Sequence, residues 1–147
     1  MPREKVPEKI KKTVHKRAKG CCEYCQSSDQ WATHRFYIEH ILPLSKGGTN
    51  ELSNLALGCP GCNNHKYNKL WGIDPSTKEK ATLFHPRKQK WVEHFTWDDS
   101  FTKIVGLTAT GRVTVVALKL NRPRLMTRRK AFLAMGFHPP KHTIVEL

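Results

Sequence analysis

Two Cys-x-x-Cys pairs, Cys22/Cys25 and Cys59/Cys62, stand 33 residues apart in this chain of 147 residues. No other feature constrains the fold as tightly. Four thiolates brought together close a tetrahedral shell around Zn²⁺ and leave no position for substrate, which marks a structural site. A redox dithiol needs only one such pair, at a βα junction, so two matched pairs favour zinc. Structural zinc is worth roughly 10–16 kcal/mol of apparent binding energy in small peptides. That exceeds the net stability of most domains, and the centre of the chain is expected to unfold without its metal. A fifth cysteine, Cys21, is left over. It offers a three-residue spacing as an alternative to Cys22, but the two-residue spacing is commoner and Cys21 reads as a bystander.

Charge points to the partner. The formal net charge is +14 and the pI about 9.9, which favours an anionic polymer or surface. Residues 1–20 carry eight basic and two acidic groups, 21–110 carry ten and nine, and 111–130 carry seven basic and none acidic. A near-neutral centre between two basic wings suggests a chemical core held on a polyanion by its flanks. The alternative is a merely solubilising surface. No apolar run approaches the roughly 20 residues of a membrane span. The first 20 residues are charged with no apolar stretch after them, so no secretory signal is expected. Five cysteines without such a signal fit metal binding or free thiols in a reducing compartment.

Glu8 to Lys19 places Ile10, Val14 and Ala18 at four-residue spacing and predicts an amphipathic helix stopped by Gly20. Residues 34–42 read as a strand ended by Pro43. Lys46 to Asn50 is a loop, a second short extended piece follows near Leu55 and Leu57, and a helix is expected from Asn63 to Leu70. Asp74 to Pro86 reads as loop. Residues 90–97 and 101–107 predict a hairpin turning at Asp98-Asp99-Ser100. The stretch 110–120 fits either a strand or a helix; a helix capped by Thr108 or Thr110 and closed by Asn121 is preferred. Pro123 opens a last basic helix ending at Gly136, and the tail is expected to be loosely held. Trp31, Tyr37 and Trp71 are expected in the core around the zinc, and Trp91, Phe95, Trp97 and Phe101 in a small second core.

Between and after the cysteine pairs lie Glu39-His40, Pro43, Gly47-Gly48, Asn54-Leu55, Asn63 and Lys66. This run resembles the HNH endonucleases, the ββα-metal nucleases, over roughly residues 21–70. The resemblance implies an α+β fold. A ββα-metal core at 21–72 carries the structural four-cysteine zinc, with a basic N-terminal helix at 1–20. A C-terminal extension at 73–140 supplies a hairpin and basic helices, and a tail occupies 141–147. The rest of the chain looks, more loosely, like the C-terminal part of small bacterial HNH proteins.

The implied chemistry is phosphodiester hydrolysis, which needs an activated water, a cation for the developing charge and help for the leaving oxygen. Histidine suits a general base because its ordinary pKa lies near 6.5, and His40 takes that part. Glu39 lies on the other face of a regular strand, so both serve one site only if the strand twists or ends there. By resemblance Asn54 orients His40, and Glu39 with Asn63 holds the catalytic cation, with His65 as the alternative to Asn63. Many family members carry Asp and His at these two positions; a carboxylate with an amide oxygen favours Mg²⁺ or Mn²⁺. Lys66 one turn on is expected to meet phosphate, together with Lys69, Arg112, Lys119 and Arg122. Arg124, Arg128, Arg129 and Lys130 are expected to continue that grip along the last helix. The partner implied is DNA, most naturally double-stranded, and the setting the cytoplasm of a bacterium or a phage-encoded protein in it. A zinc-ribbon-like DNA- or RNA-binding module without catalysis is the alternative; it keeps the cysteines and the charge but has no use for Glu39, His40 and Asn63 together.

Overall fold

The computed structural model describes residues 6–145; the first five residues of the basic N-terminal wing and the last two of the tail lie outside them. Helix α1 (Glu8–Arg17) follows Pro7 and turns at Gly20, whose φ of +69° suits glycine. Its apolar stripe buries Val14 and Ala18 against Leu55 and Leu57, with Ile10, Phe36 and Ile38 at the margin. Each fully buried aliphatic side chain there is worth about 1.5–3 kcal/mol. The guanidinium of Arg17 donates to the carbonyls of Leu52 and Leu55, clamping the helix to the strand beneath it.

Strands β1 (Tyr37–His40) and β2 (Leu55–Gly58) pair antiparallel, with Glu39 opposite Ala56 and His40 opposite Leu55. One face of the pair meets α1. The first Cys-x-x-Cys knuckle joins β2 through two bonds of Glu23, its N–H to the Leu57 carbonyl and its carboxylate from the Leu57 N–H, both 2.8 Å. Helix α2 (Pro60–Lys66) begins three residues earlier than the sequence predicts. Pro60 is at home in a first turn, and Cys59 caps it, its sulfur accepting from the Cys62 N–H at 3.4 Å.

Beyond α2 the chain departs from expectation twice. The stretch read as loop contains strand β4 (Lys80–Thr82), which closes a hairpin with β3 (Trp71–Ile73) just ahead of it. Strands of three residues are too short to display alternation, and their turn is built by Asp74, which accepts from the Ser76 N–H and the Thr77 hydroxyl. Trp91–His94, read as strand, is a single helical turn, α3, leading into β5 (Phe95–Trp97). Trp91 and Phe95 lie four apart and both bury, with ring centroids 5.2 Å apart, so the helical period wins locally.

The predicted hairpin closes as β5 against β6 (Ile104–Gly106), with Asp98 accepting from the Thr102 and Lys103 N–H groups. Helix α4 (Ala109–Ala117) is capped by Thr108, which accepts from the Gly111 N–H at 3.0 Å. Gly111 is needed because the His94 carbonyl would collide with any Cβ there. Asn121 brackets both backbone groups of Ile104 instead of merely closing α4. Helix α5 (Pro123–Ala134) starts and stops where the sequence places it. The tail is tied down as far as Thr143, which is buried and accepts from Trp97 Nε1 at 2.9 Å. Its neighbour His142 meets Gln26. One continuous core runs from the four cysteines through Tyr24, Phe84, Trp91, Phe95 and Trp97 to Val113, Leu118 and Leu125.

Candidate zinc centre and active site

The ligand sulfurs of Cys22, Cys25, Cys59 and Cys62 all lie within 4.8 Å of one another and are buried. Zn–S bonds of about 2.3 Å in a tetrahedron require sulfurs about 3.8 Å apart, and the Cys25–Cys59 separation is 3.7 Å. The donor set and spacing fit zinc. Cys21 stands aside, its thiol donating to the Lys19 carbonyl, which resolves the choice of spacing in favour of Cys22. Arg122, expected on DNA, instead points its guanidinium at two of the sulfurs, Nη1 to Cys62 at 3.5 Å and Nη2 to Cys59 at 3.6 Å. It lies so close over Gly61 that a Cβ there would collide with it. Four thiolates on Zn²⁺ carry a net double negative charge, so a desolvated cation beside them is electrostatically sound.

His40 ends β1 half-buried, its Nε2 2.7 Å from Asn50 Oδ1. That oxygen accepts, so Nε2 is the donor of the contact, and in the neutral ring the lone pair lies on Nδ1. Asn50, and not Asn54, therefore makes the contact to the His40 ring. Asn54 accepts from the Leu42 N–H at 2.8 Å and donates to the carbonyls of Leu42 and Thr49 at 3.0 and 2.9 Å. It staples the loop that carries Asn50 and reaches the His40 ring only through it. Gly48 is required here, since the Leu42 carbonyl occupies the place of a Cβ.

Glu39 is 6% exposed and faces α2. Its Oε2 accepts from the Tyr24 hydroxyl at 2.6 Å, and its Oε1 is 2.6 Å from the ammonium of Lys66. Burial pushes the Glu39 carboxyl above its usual range, against the opposing pull of Lys66 and Tyr24. Lys66 is 2% exposed and also donates to the Ile41 carbonyl, so it is an internal counter-ion and not a surface phosphate contact. Asn63 stands across from Glu39: a Cβ on Gly58 would lie 3.8 Å from Glu39 Cβ and 4.0 Å from Asn63 Cβ, so the missing side chain leaves a cradle between them. The Asn63 amide has no hydrogen bond among the described residues. His65, two residues on, is on the far side of α2; burial and the charges of Arg122, Lys119 and Lys69 lower its pKa.

The other basic residues divide. Arg112 forms a two-pronged pair with the buried Asp74, at 2.9 Å twice. Arg129 is 3% exposed and caps the carbonyls of Thr102 and Leu120. Arg128 donates to the Ser28 carbonyl and covers the Phe132 ring. Lys69, Lys119, Arg124 and Lys130 remain exposed. Arg112, Arg122 and Arg129 each spend the guanidinium on an internal partner: the Asp74 carboxylate, the sulfurs of Cys59 and Cys62, and the carbonyls of Thr102 and Leu120. The aromatic expectation also reverses: Trp31, Tyr37 and Trp71 are more than half exposed, whereas Trp91, Phe95 and Trp97 are buried as expected. Asn50, Tyr24 and the zinc-facing role of Arg122 escaped the sequence reading. Only Asn50 had a signal, its place at the end of the loop that follows the candidate base.

A strand pair ending in a histidine, a following helix capped by a cysteine and a four-thiol cluster joining them, fit for a structural metal such as zinc, define a ββα unit. Residues 22–69, which make up this unit, match the family model described as HNH endonuclease. The segment is thus consistent with an HNH-family domain, and that family generally hydrolyses nucleic acid. No curated protein and no solved structure matches the chain. No helix among the described residues is long and apolar enough to cross a membrane.

Proposed function

We propose that the chain is a divalent-metal-dependent endonuclease that hydrolyses DNA phosphodiester bonds, with His40 as the general base. The observation that carries this reading is the His40–Asn50 contact: Asn50 holds Nε2, so Nδ1 is the nitrogen through which the ring would take a proton from water. Asn54 acts on the base at one remove, by holding the loop on which Asn50 sits. Glu39 and Asn63, on either side of the Gly58 cradle, are the residues that would hold the cation. Their hard oxygen donors suit Mg²⁺ or Mn²⁺. When bound there, the cation supplies positive charge for the phosphate oxygens as negative charge develops on them. Tyr24 and Lys66 hold the Glu39 side chain in one orientation.

The exposed Lys69, Lys119, Arg124 and Lys130 supply contacts to backbone phosphates, which give affinity without sequence information. The binding module without catalysis draws support from the same Glu39–Lys66 pair, since an ammonium already neutralises the carboxylate. Cleavage of supercoiled plasmid with Mg²⁺, with Mn²⁺ and with no added divalent ion separates the two. Nicking that requires the added ion supports the nuclease; retained DNA binding with no cleavage under any of them supports the module.

A further inference from the structure

A groove of about 310 Å³ opens beside the proposed active site, between the end of α2, strand β4 and the segment leading to α3. Its wall includes Ile41, the residue after His40, and Lys66, the partner of Glu39. The volume falls within the range of small-ligand sites.

Its body is apolar, formed by Leu70, Leu83 and Phe84. Its polar groups are chiefly donors. Lys69 and Lys88 stand exposed at the rim. The Nδ1 of His85 accepts from the backbone N–H groups of Arg87 and Lys88, both at 3.2 Å, so the ring proton is on Nε2. Gln89 spends its carbonyl on the His85 N–H at 2.9 Å, and its amide protons have no partner among the described residues. No acidic side chain lines the groove. Trp71 flanks it: the ring is 51% exposed, and Trp71 pairs with groove-lining Thr82 across the β3–β4 hairpin, which puts both side chains on one face. The Lys80 ammonium lies 4.3 Å from the centre of that ring, adding a further cation beside the indole.

An apolar slot with a cationic, donor-rich rim and an indole at its edge fits a flat, acceptor-rich body that carries phosphate. We propose that this groove is a subsite for one unpaired nucleotide of the DNA strand, adjacent to the bond cleaved at His40. The base enters between Leu70 and Phe84, the phosphate meets Lys69 and Lys88, and the next base stacks on Trp71. The inference rests on the nuclease reading and narrows its substrate to DNA that exposes an unpaired nucleotide next to the scissile bond: a single strand, a gap or a branch.

Binding is the test, so that a failure of catalysis does not decide it. The His40→Ala protein is titrated with a fluorescent single strand, a gapped duplex and a perfect duplex of equal length, without added divalent metal. Single strand and gapped duplex are expected to bind at least five-fold more tightly than the perfect duplex. Trp71→Ala, at an exposed position, is expected to weaken the first two five-fold or more, in line with the usual worth of base–aromatic stacking, and to leave the third within two-fold. Replacing Lys69 and Lys88 together by Ala is expected to lower the salt slope for the single strand by about 1.4. Equal affinities for the three DNAs, or no effect of Trp71→Ala, would overturn the subsite. Thymidine monophosphate that binds as tightly as the single strand would also overturn it, in favour of a free nucleotide as occupant. Subsite binding in a protein that never cleaves would leave the subsite standing and remove the nuclease.

Discussion

The ammonium of Lys66 lies 2.6 Å from the Glu39 carboxylate, with both groups withdrawn from solvent. Three residues thereby hold the centre of the ββα unit together: Glu39 on β1, Ile41 just past it through its carbonyl, and Lys66 at the end of α2. Removing one partner of such a pair strands the other charge, which typically costs about 3–5 kcal/mol. Lys66→Met is therefore expected to lower Tm by roughly 10 °C, and Glu39→Gln in the same chain to restore much of the loss. A Lys66→Met melting curve that superimposes on the parent would return Lys66 to the surface role the sequence suggested.

Arg122 joins the N-terminus of α5 to the thiolates of Cys59 and Cys62. Outer-shell partners of metal ligands typically carry a factor of 10–100 in metal affinity. Arg122→Ala should release zinc to a chromophoric chelator about ten-fold more readily than the parent, and the exposed Arg124→Ala, two residues along, should not. Indistinguishable release from the two variants would show the contact to be incidental.

Much of this architecture is legible in the sequence, and the exceptions share a cause. The two cysteine pairs, α1, the β5–β6 hairpin, α5 and its Pro123 start are written in local chemistry: spacing, caps and turn residues. What a linear reading does not carry is the destination of a long polar side chain. Arg112, Arg122, Arg129 and Lys66 read as a phosphate grip because of their charge and their place in the sequence, yet each finds an internal acceptor that folding brings from elsewhere. The exchange of Asn50 for Asn54 at the His40 ring has the same cause. Both sit near the turn, and only the closed loop reveals which one reaches the His40 ring.

That exchange has a kinetic signature. Asn50→Ala frees the His40 ring while leaving the Asn54 staple in place, so kcat should fall about ten-fold or more, of the order expected for a loosened catalytic group, out of proportion to any change in Tm. Asn54→Ala leaves both backbone groups of Leu42 without their partner, which costs about 1–3 kcal/mol per stranded group. It should lower Tm first and activity with it. The reverse pattern would restore Asn54 as the direct orienting residue.

The C-terminal half carries a pH dependence of its own. His138 donates from Nε2 to the Phe101 carbonyl at 2.7 Å and packs edge-on against Trp97. Burial, and the charge of Arg129 behind it, lower its pKa. The folded state thus resists protonation that the unfolded chain accepts near pH 6.5. The unfolded state binds more protons in that window, and the stability contributed by neutral His138 is lost as pH falls from about 6.5 toward the depressed folded value. His138→Gln, which keeps a donor but cannot titrate, should show a smaller drop in Tm between about pH 8 and pH 6 than the parent. Identical drops would assign the acid sensitivity to other groups.

The proposed hydrolysis depends on His40 before any other residue. The decisive measurement is nicking of supercoiled plasmid in Mg²⁺ or Mn²⁺ by the parent and by His40→Ala, with zinc content and circular dichroism matched between them. Loss of a general base typically costs a factor of about 10²–10⁴. Metal-dependent nicking by the parent is therefore expected, with a reaction at least about a hundred-fold slower in the variant at unchanged fold. Cleavage by His40→Ala at the parent's rate would contradict the assignment of His40 as the base.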